Sequence, residues 1–115
     1  MFGLNIAAQN SSLSAQAVDA NTGEALVKAT SQLYRIADRR GGGHDTTFVS
    51  GTYSDGQGRI AFNHIAAGNY LLRVSYLGYK TVDKPFRTNG SEPQALGKIR
   101  MKANTASSRV PSVTT

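Results

Sequence analysis

Tyr70, Leu72, Val74 and Tyr76 alternate with Leu71, Arg73 and Ser75. A period of two sends successive side chains to opposite faces, so residues 70–76 predict a half-buried strand with the first four side chains inward. Residues 59–63 read the same way, with Ile60 and Phe62 inward. Gly97, Ile99 and Met101 form the inward set of a last strand, with Lys98, Arg100 and Lys102 outward. Residues 30–36 alternate Gln32, Tyr34 and Ile36 against Ser31, Leu33 and Arg35. Residues 48–54 are rich in β-branched and aromatic side chains, which suit a strand. Residues 13–18 form a weaker first strand. Residues 79–87 form another, in which Pro85 marks an edge or a bulge.

Between these segments lie turn-forming clusters at 19–23, 40–44, 55–58 and 67–69, then Gly78, then Asn89-Gly90-Ser91. Gly and Asn tolerate positive φ, and Asp and Asn side chains bond nearby backbone, so each cluster favours chain reversal. Seven short strands without a helical pattern predict an all-β fold: a seven-stranded antiparallel Greek-key sandwich, transthyretin-like or immunoglobulin-like. The boundaries expected are a flexible N-terminal arm or signal-peptide remnant over 1–10, the sandwich over 11–102, and a Ser/Thr-rich linker over 103–115 toward a further C-terminal part.

Composition narrows this reading. The 115 residues are 39% hydrophobic and 17% charged, both low, and small polar residues fill the difference, as strands and turns require. The net charge of +6 could serve nucleic acid or an anionic surface. The basic residues are scattered at outward strand positions, which describes a solvated sheet face and gives no nucleic-acid surface. The absence of cysteine excludes disulfides, thiolate metal sites and cysteine nucleophiles. No apolar run approaches the length of a membrane-spanning helix.

Chemistry is sparse. The seven acids fall almost entirely in turns and loops, where capping accounts for Asp19 and Asp55. The two histidines, His44 and His64, are separated by a strand and a turn. His44 beside Asp45 is the nearest approach to a metal site. Residues 56–61 (Gly-Gln-Gly-Arg-Ile-Ala) imitate a dinucleotide fingerprint but lead into a strand, so no helix N-terminus would meet a phosphate. No catalytic, cofactor or metal residues are assigned, and the chain is read as non-enzymatic. The candidate contact residues are Arg39, Arg40 and His44 in an enlarged Gly-rich loop over 39–46, the nearby Tyr53, and Tyr79 just past Gly78.

The ordered set of turns resembles the carboxypeptidase regulatory-like family. Val18-Asp19-Ala20-Asn21-Thr22-Gly23 matches its first turn and Ser54-Asp55-Gly56-Gln57-Gly58 its hairpin. Gly68-Asn69-Tyr70-Leu71-Leu72, Ser75-Tyr76-Leu77-Gly78-Tyr79 and Leu96-Gly97-Lys98-Ile99 follow in order. Gln16-Ala17 before the first turn and Ile60 depart from the pattern. The resemblance implies a transthyretin-like sandwich without catalysis. Its Ser-Tyr-Leu-Gly-Tyr form is similar to domains preceding outer-membrane β-barrels related to TonB-dependent receptors in Bacteroidetes-type bacteria. It therefore implies an accessory module at the periplasmic face of the outer membrane, with the barrel or another envelope protein as partner. A sandwich that binds a glycan or another ligand through its end loops is the alternative.

Overall fold

The computed structural model describes residues 10–104, which form seven strands and no helical element. They are β1 (Asn10–Asp19), β2 (Thr30–Asp38), β3 (His44–Tyr53), β4 (Arg59–Ala66), β5 (Gly68–Ser75), β6 (Val82–Thr88) and β7 (Gln94–Met101). Two sheets result, ordered β4-β1-β7 and β3-β2-β5-β6. The all-β sandwich expected from the alternation is the fold observed. Pairing is antiparallel throughout except between β1 and β7, which run parallel from Leu13↔Gln94 to Asp19↔Met101. Most of the proposed arm (residues 1–9) and linker (residues 105–115) lies outside the described residues.

The core lies between the sheets. Leu13, Ala15 and Ala17 of β1 meet Leu33 of β2, Ile60, Phe62 and Ile65 of β4, Tyr70, Leu72 and Val74 of β5, and Ile99 and Met101 of β7. Burying these apolar faces provides the main driving force for folding. Small residues at positions 15 and 17 let the sheets approach while large ones fill the space opposite, as close packing requires.

Three details differ from the alternation. Tyr76 lies past the end of β5 and is half-buried, packed against the core rather than within it. Gly97 is exposed, with φ +74°, where the β1–β7 register shifts. It sits at a bulge, so the alternation slips there and Gly97 is not part of the inward set. The third concerns the 39–46 loop, which is a tight hairpin turn over 39–43. Asp38↔His44 and Ala37↔Asp45 continue the β2–β3 ladder, and Gly41, Gly42 and Gly43 all take positive φ to close it. Glycine adopts that region without a Cβ clash, so the ladder extends further than Gly content alone implied.

Candidate functional site

The parallel β1–β7 pair fixes how the chain enters and leaves. Asn10 opens β1 beside Ala66 at one end of the sandwich, and Met101 closes β7 beside Asp19 at the other. Both passages are pinned. At entry, the Ser11 hydroxyl donates to the Glu92 carbonyl in the β6–β7 loop. At exit, Ala20 N donates to Met101 O (2.8 Å), Lys80 N to Lys102 O (2.8 Å) and Asn104 N to Gly78 O (2.8 Å). Tyr79 forms an isolated bridge with Ala103. The Tyr79 hydroxyl donates to Asp19 Oδ2 at 2.6 Å, while Asp19 Oδ1 accepts from the backbone of Asn21 and Thr22. The first of these bonds, then the other two, hold the Asp19 carboxyl below its usual pKa, and the same contact raises the Tyr79 phenol. All three bonds favour the charged carboxylate, and the first also favours the neutral phenol.

The second feature is an edge. In the four-stranded sheet β3 pairs with β2 on one side, and among the described residues no strand lies along its other side. Every β3 residue is exposed except the half-buried Thr52. From Thr46 to Ser54 there is no charge and no proline. The other three sheet edges carry the usual deterrents. Strand β6 has Asp83, Lys84, Pro85 and Arg87. Strand β7 has Lys98, Arg100 and the bulge at Gly97. Strand β4 has Arg59 and an irregular register near His64. The β2–β3 register shifts once, which places Val49 as an unpaired extra residue, 48% exposed.

A ridge crosses the outer face of this sheet. The register sets Phe48 opposite Tyr34, Tyr34 opposite Leu71 and Leu71 opposite Pro85. Tyr34 and Phe48 meet edge to face at 5.8 Å, and the Arg73 guanidinium stacks over Tyr34 at 5.4 Å while pairing with Asp83. Phe48 is 56% exposed and Tyr53, further along the same strand, 66%.

The residues singled out in the sequence do not converge. Arg39 and Arg40 occupy the β2–β3 turn and His44 the first position of β3, where its ring nitrogen contacts Asp38 at 2.9 Å. Arg39 reaches Asp45 at 3.6 Å. Both pairs are well exposed, and such pairs add little stability. Tyr53 ends β3, nine residues and roughly 30 Å from His44 at ~3.3 Å per residue. It lies at the same end of the sandwich as Tyr79, whose hydroxyl is committed to Asp19. Among the described residues no group of three or more His, Asp or Glu is placed to hold a metal. A groove of about 610 Å³ lined by Ala67, Gly68, Asn69, Arg87, Thr88, Asn89 and Gln94 presents a guanidinium but no carboxylate. Phe48, Val49 and the 97%-exposed Leu77 were not among the sequence candidates. For β3 the available signal was the uncharged run 46–54.

No family model matches the chain, and no curated protein matches it. Solved structures do. Over 83% of this chain and 98% of its own length, the C-terminal domain of the shaft pilin SpaA from Lactobacillus rhamnosus GG superposes with a TM-score of 0.59 at 17% identity. GBS52, the minor pilin of the Gram-positive pathogen Streptococcus agalactiae, gives 0.61 at 20% identity over 91% of this chain and 49% of its own. The group B streptococcus pilus 2b backbone protein gives 0.58 at 14%, over 84% and 42%. The chain thus spans one whole pilin domain and less than half of the longer subunits. At these identities the likeness establishes the fold. It also corrects the functional expectation: the similar structures are pilus subunits of Gram-positive bacteria, not parts of outer-membrane barrels, so the periplasmic barrel-associated reading is withdrawn. The end-loop ligand reading gains nothing, because its residues lie at opposite ends of the sandwich.

Proposed function

We propose that this domain is a non-catalytic structural and assembly module of a surface-exposed protein, built to be strung between neighbours and to carry tension along its length. The observation behind this reading is the parallel β1–β7 pair, with entry at one end and exit at the other. Tension between Asn10 and Asn104 runs along both strands. The ladder hydrogen bonds lie across that pull, so they share it and fail together. The Tyr79–Asp19 bond and the 78–80 backbone bonds anchor the exit to the first strand and the turn that follows it. The likeness to shaft and minor pilin domains, subunits of an extended fibre, supports the same reading and a location outside the cell. The turn pattern similar to carboxypeptidase regulatory-like domains fits it too, as a finer attribution of the same sandwich to an accessory, non-catalytic class.

Single-molecule pulling tests the reading. The chain has no cysteine, so handles can be placed at chosen pairs of sites. Attachment at residues 10 and 104 shears the β1–β7 ladder. Attachment at residues 10 and 94, which start the two strands at the same end, opens it bond by bond. The expected result is a clearly higher unfolding force in the first geometry. Equal forces would overturn the reading.

A further inference from the structure

Over Thr46–Tyr53 strand β3 is an edge without charge or proline, interrupted only by the bulge at Val49, and among the described residues no strand covers it; unpaired backbone on such an edge is a template for another strand. A candidate strand lies in the chain itself. Residues 2–9 read Phe-Gly-Leu-Asn-Ile-Ala-Ala-Gln, with Phe2, Leu4, Ile6 and Ala8 alternating against Gly3, Asn5, Ala7 and Gln9. This period-two pattern has one apolar and one small or polar side, which suits a strand laid on a half-exposed surface.

We propose that residues 2–8 of one copy add as a strand along β3 of a second copy, linking domains head to tail. The proposal rests on the assembly reading above and specifies the partner surface. The lengths agree: seven donor residues face the eight uncharged positions Thr46–Tyr53. The apolar side of the donor would meet the outer face of β3, where Phe48 and Tyr53 stand exposed, because the inner-face positions Thr47, Ser50 and Thr52 are polar.

Residue counting separates this from self-capping. The segment leaves Asn10 beside β4, in the sheet opposite β3. Crossing ~10 Å between sheets takes about three residues, and reversing direction about two more, so about four of nine would remain to pair within one molecule. A second copy receives all seven. Donor and acceptor patches differ, so the contact is heterologous and extends into chains or rings rather than closing as a two-fold dimer.

The test combines the full chain, a variant lacking residues 2–8, and a synthetic peptide of residues 2–9. Sedimentation velocity of the full chain is expected to show concentration-dependent growth that the deletion abolishes. The peptide is expected to bind the deletion variant and slow amide exchange over Thr46–Tyr53. Val49→Lys, at an exposed position that tolerates a long side chain, is expected to weaken peptide binding at least about tenfold. A peptide carrying Leu4→Lys and Ile6→Lys is expected not to bind. Self-association that survives the deletion would overturn the proposal in favour of β3 pairing with β3. A monomeric full chain with no peptide binding, or protection on β4, β6 or β7, would also overturn it. None of these outcomes changes the force difference in the pulling experiment, so the assembly reading is judged separately.

Discussion

Tyr79 Oη donates to Asp19 Oδ2 at 2.6 Å across 60 residues of sequence, joining the turn after β5 to the turn after β1. Asp19 therefore caps its own turn with one oxygen and holds a distant turn with the other. The contact has a pH signature of definite sign. The Asp19 pKa is lowered on folding, so its contribution is present above the ordinary carboxylate range and is lost as pH falls through the folded value. The Tyr79 pKa is raised, so its contribution is complete below pH 10 and is lost as pH rises through the folded value above it. In Tyr79→Phe, the Asp19 titration followed by carboxyl NMR should move upward toward the ordinary aspartate value of 3.8, and the alkaline loss assigned to Tyr79 should vanish. An unmoved Asp19 titration would mean that the bond is not made in solution.

Gly58 closes the β3–β4 hairpin under two constraints. Its φ is +77°, and a Cβ placed there would lie 2.6 Å from the Ala17 carbonyl oxygen and 3.1 Å from the Ala25 Cβ. The backbone oxygen cannot withdraw, because Ala17 O accepts from Leu26 N and Ala17 N donates to Gly58 O. Gly58→Ala should lose about 2–4 kcal/mol in urea denaturation, combining left-handed strain with overpacking. Gly56, in the same turn, has nothing within 4 Å and no positive φ. Gly56→Ala should stay within about 0.5 kcal/mol of the parent.

Ser54 is the buried polar residue with the most consequence. Its hydroxyl donates to Leu26 O at 2.6 Å and accepts from Ala29 N at 2.8 Å, tying the segment before β2 to the end of β3. Ser54→Ala leaves that buried N–H without a partner and should cost about 1–3 kcal/mol. Ser31, equally buried, donates to Ala29 O, which also accepts from Ser54 N. Ser31→Ala leaves that carbonyl satisfied and should cost clearly less. Equal losses in chemical denaturation would refute this ranking.

The sandwich was legible because its core strands bury one face each. Ile60, Phe62, Tyr70, Leu72, Val74, Ile99 and Met101 were all placed by period two, and all are buried. Asp19 and Asp55 were legible as turn caps, since that role depends on neighbours two to four residues away. The parallel β1–β7 pairing was not legible, because alternation gives the face of a strand but not the direction of its partner. The extent of β3 was obscured by residues 39–46, where Gly suggests a loop but positive φ at three glycines closes a tight hairpin. The contact candidates are divided between the two ends of the sandwich, because arginine, histidine and tyrosine mark recognition chemistry without saying which end of a strand faces which. The feature that matters at β3 is an absence of charge over 46–54, noticeable only when the strand is known to lie at an edge.

His64 shows a sequence feature whose role is conformational. In β4 it takes φ +61°, where two residues, Asn63 and His64, face the single residue Ser12 in the β1 register. A left-handed residue at such a bulge costs about 1–2 kcal/mol relative to right-handed backbone, although histidine bears it better than most non-glycine residues. The His64 side chain is exposed, so its removal forfeits little packing. Glycine would remove the strain but add backbone entropy to the unfolded chain, leaving a net gain of about 0.5 kcal/mol. His64→Gly should therefore raise Tm by roughly 2–4 °C for a domain of this size. His64→Val should lower it, since a β-branched side chain is least tolerant of positive φ. Scanning calorimetry of the two variants checks the sign. A drop in Tm for His64→Gly would show that the imidazole makes a stabilising contact, and that the backbone conformation is not what limits stability at this bulge.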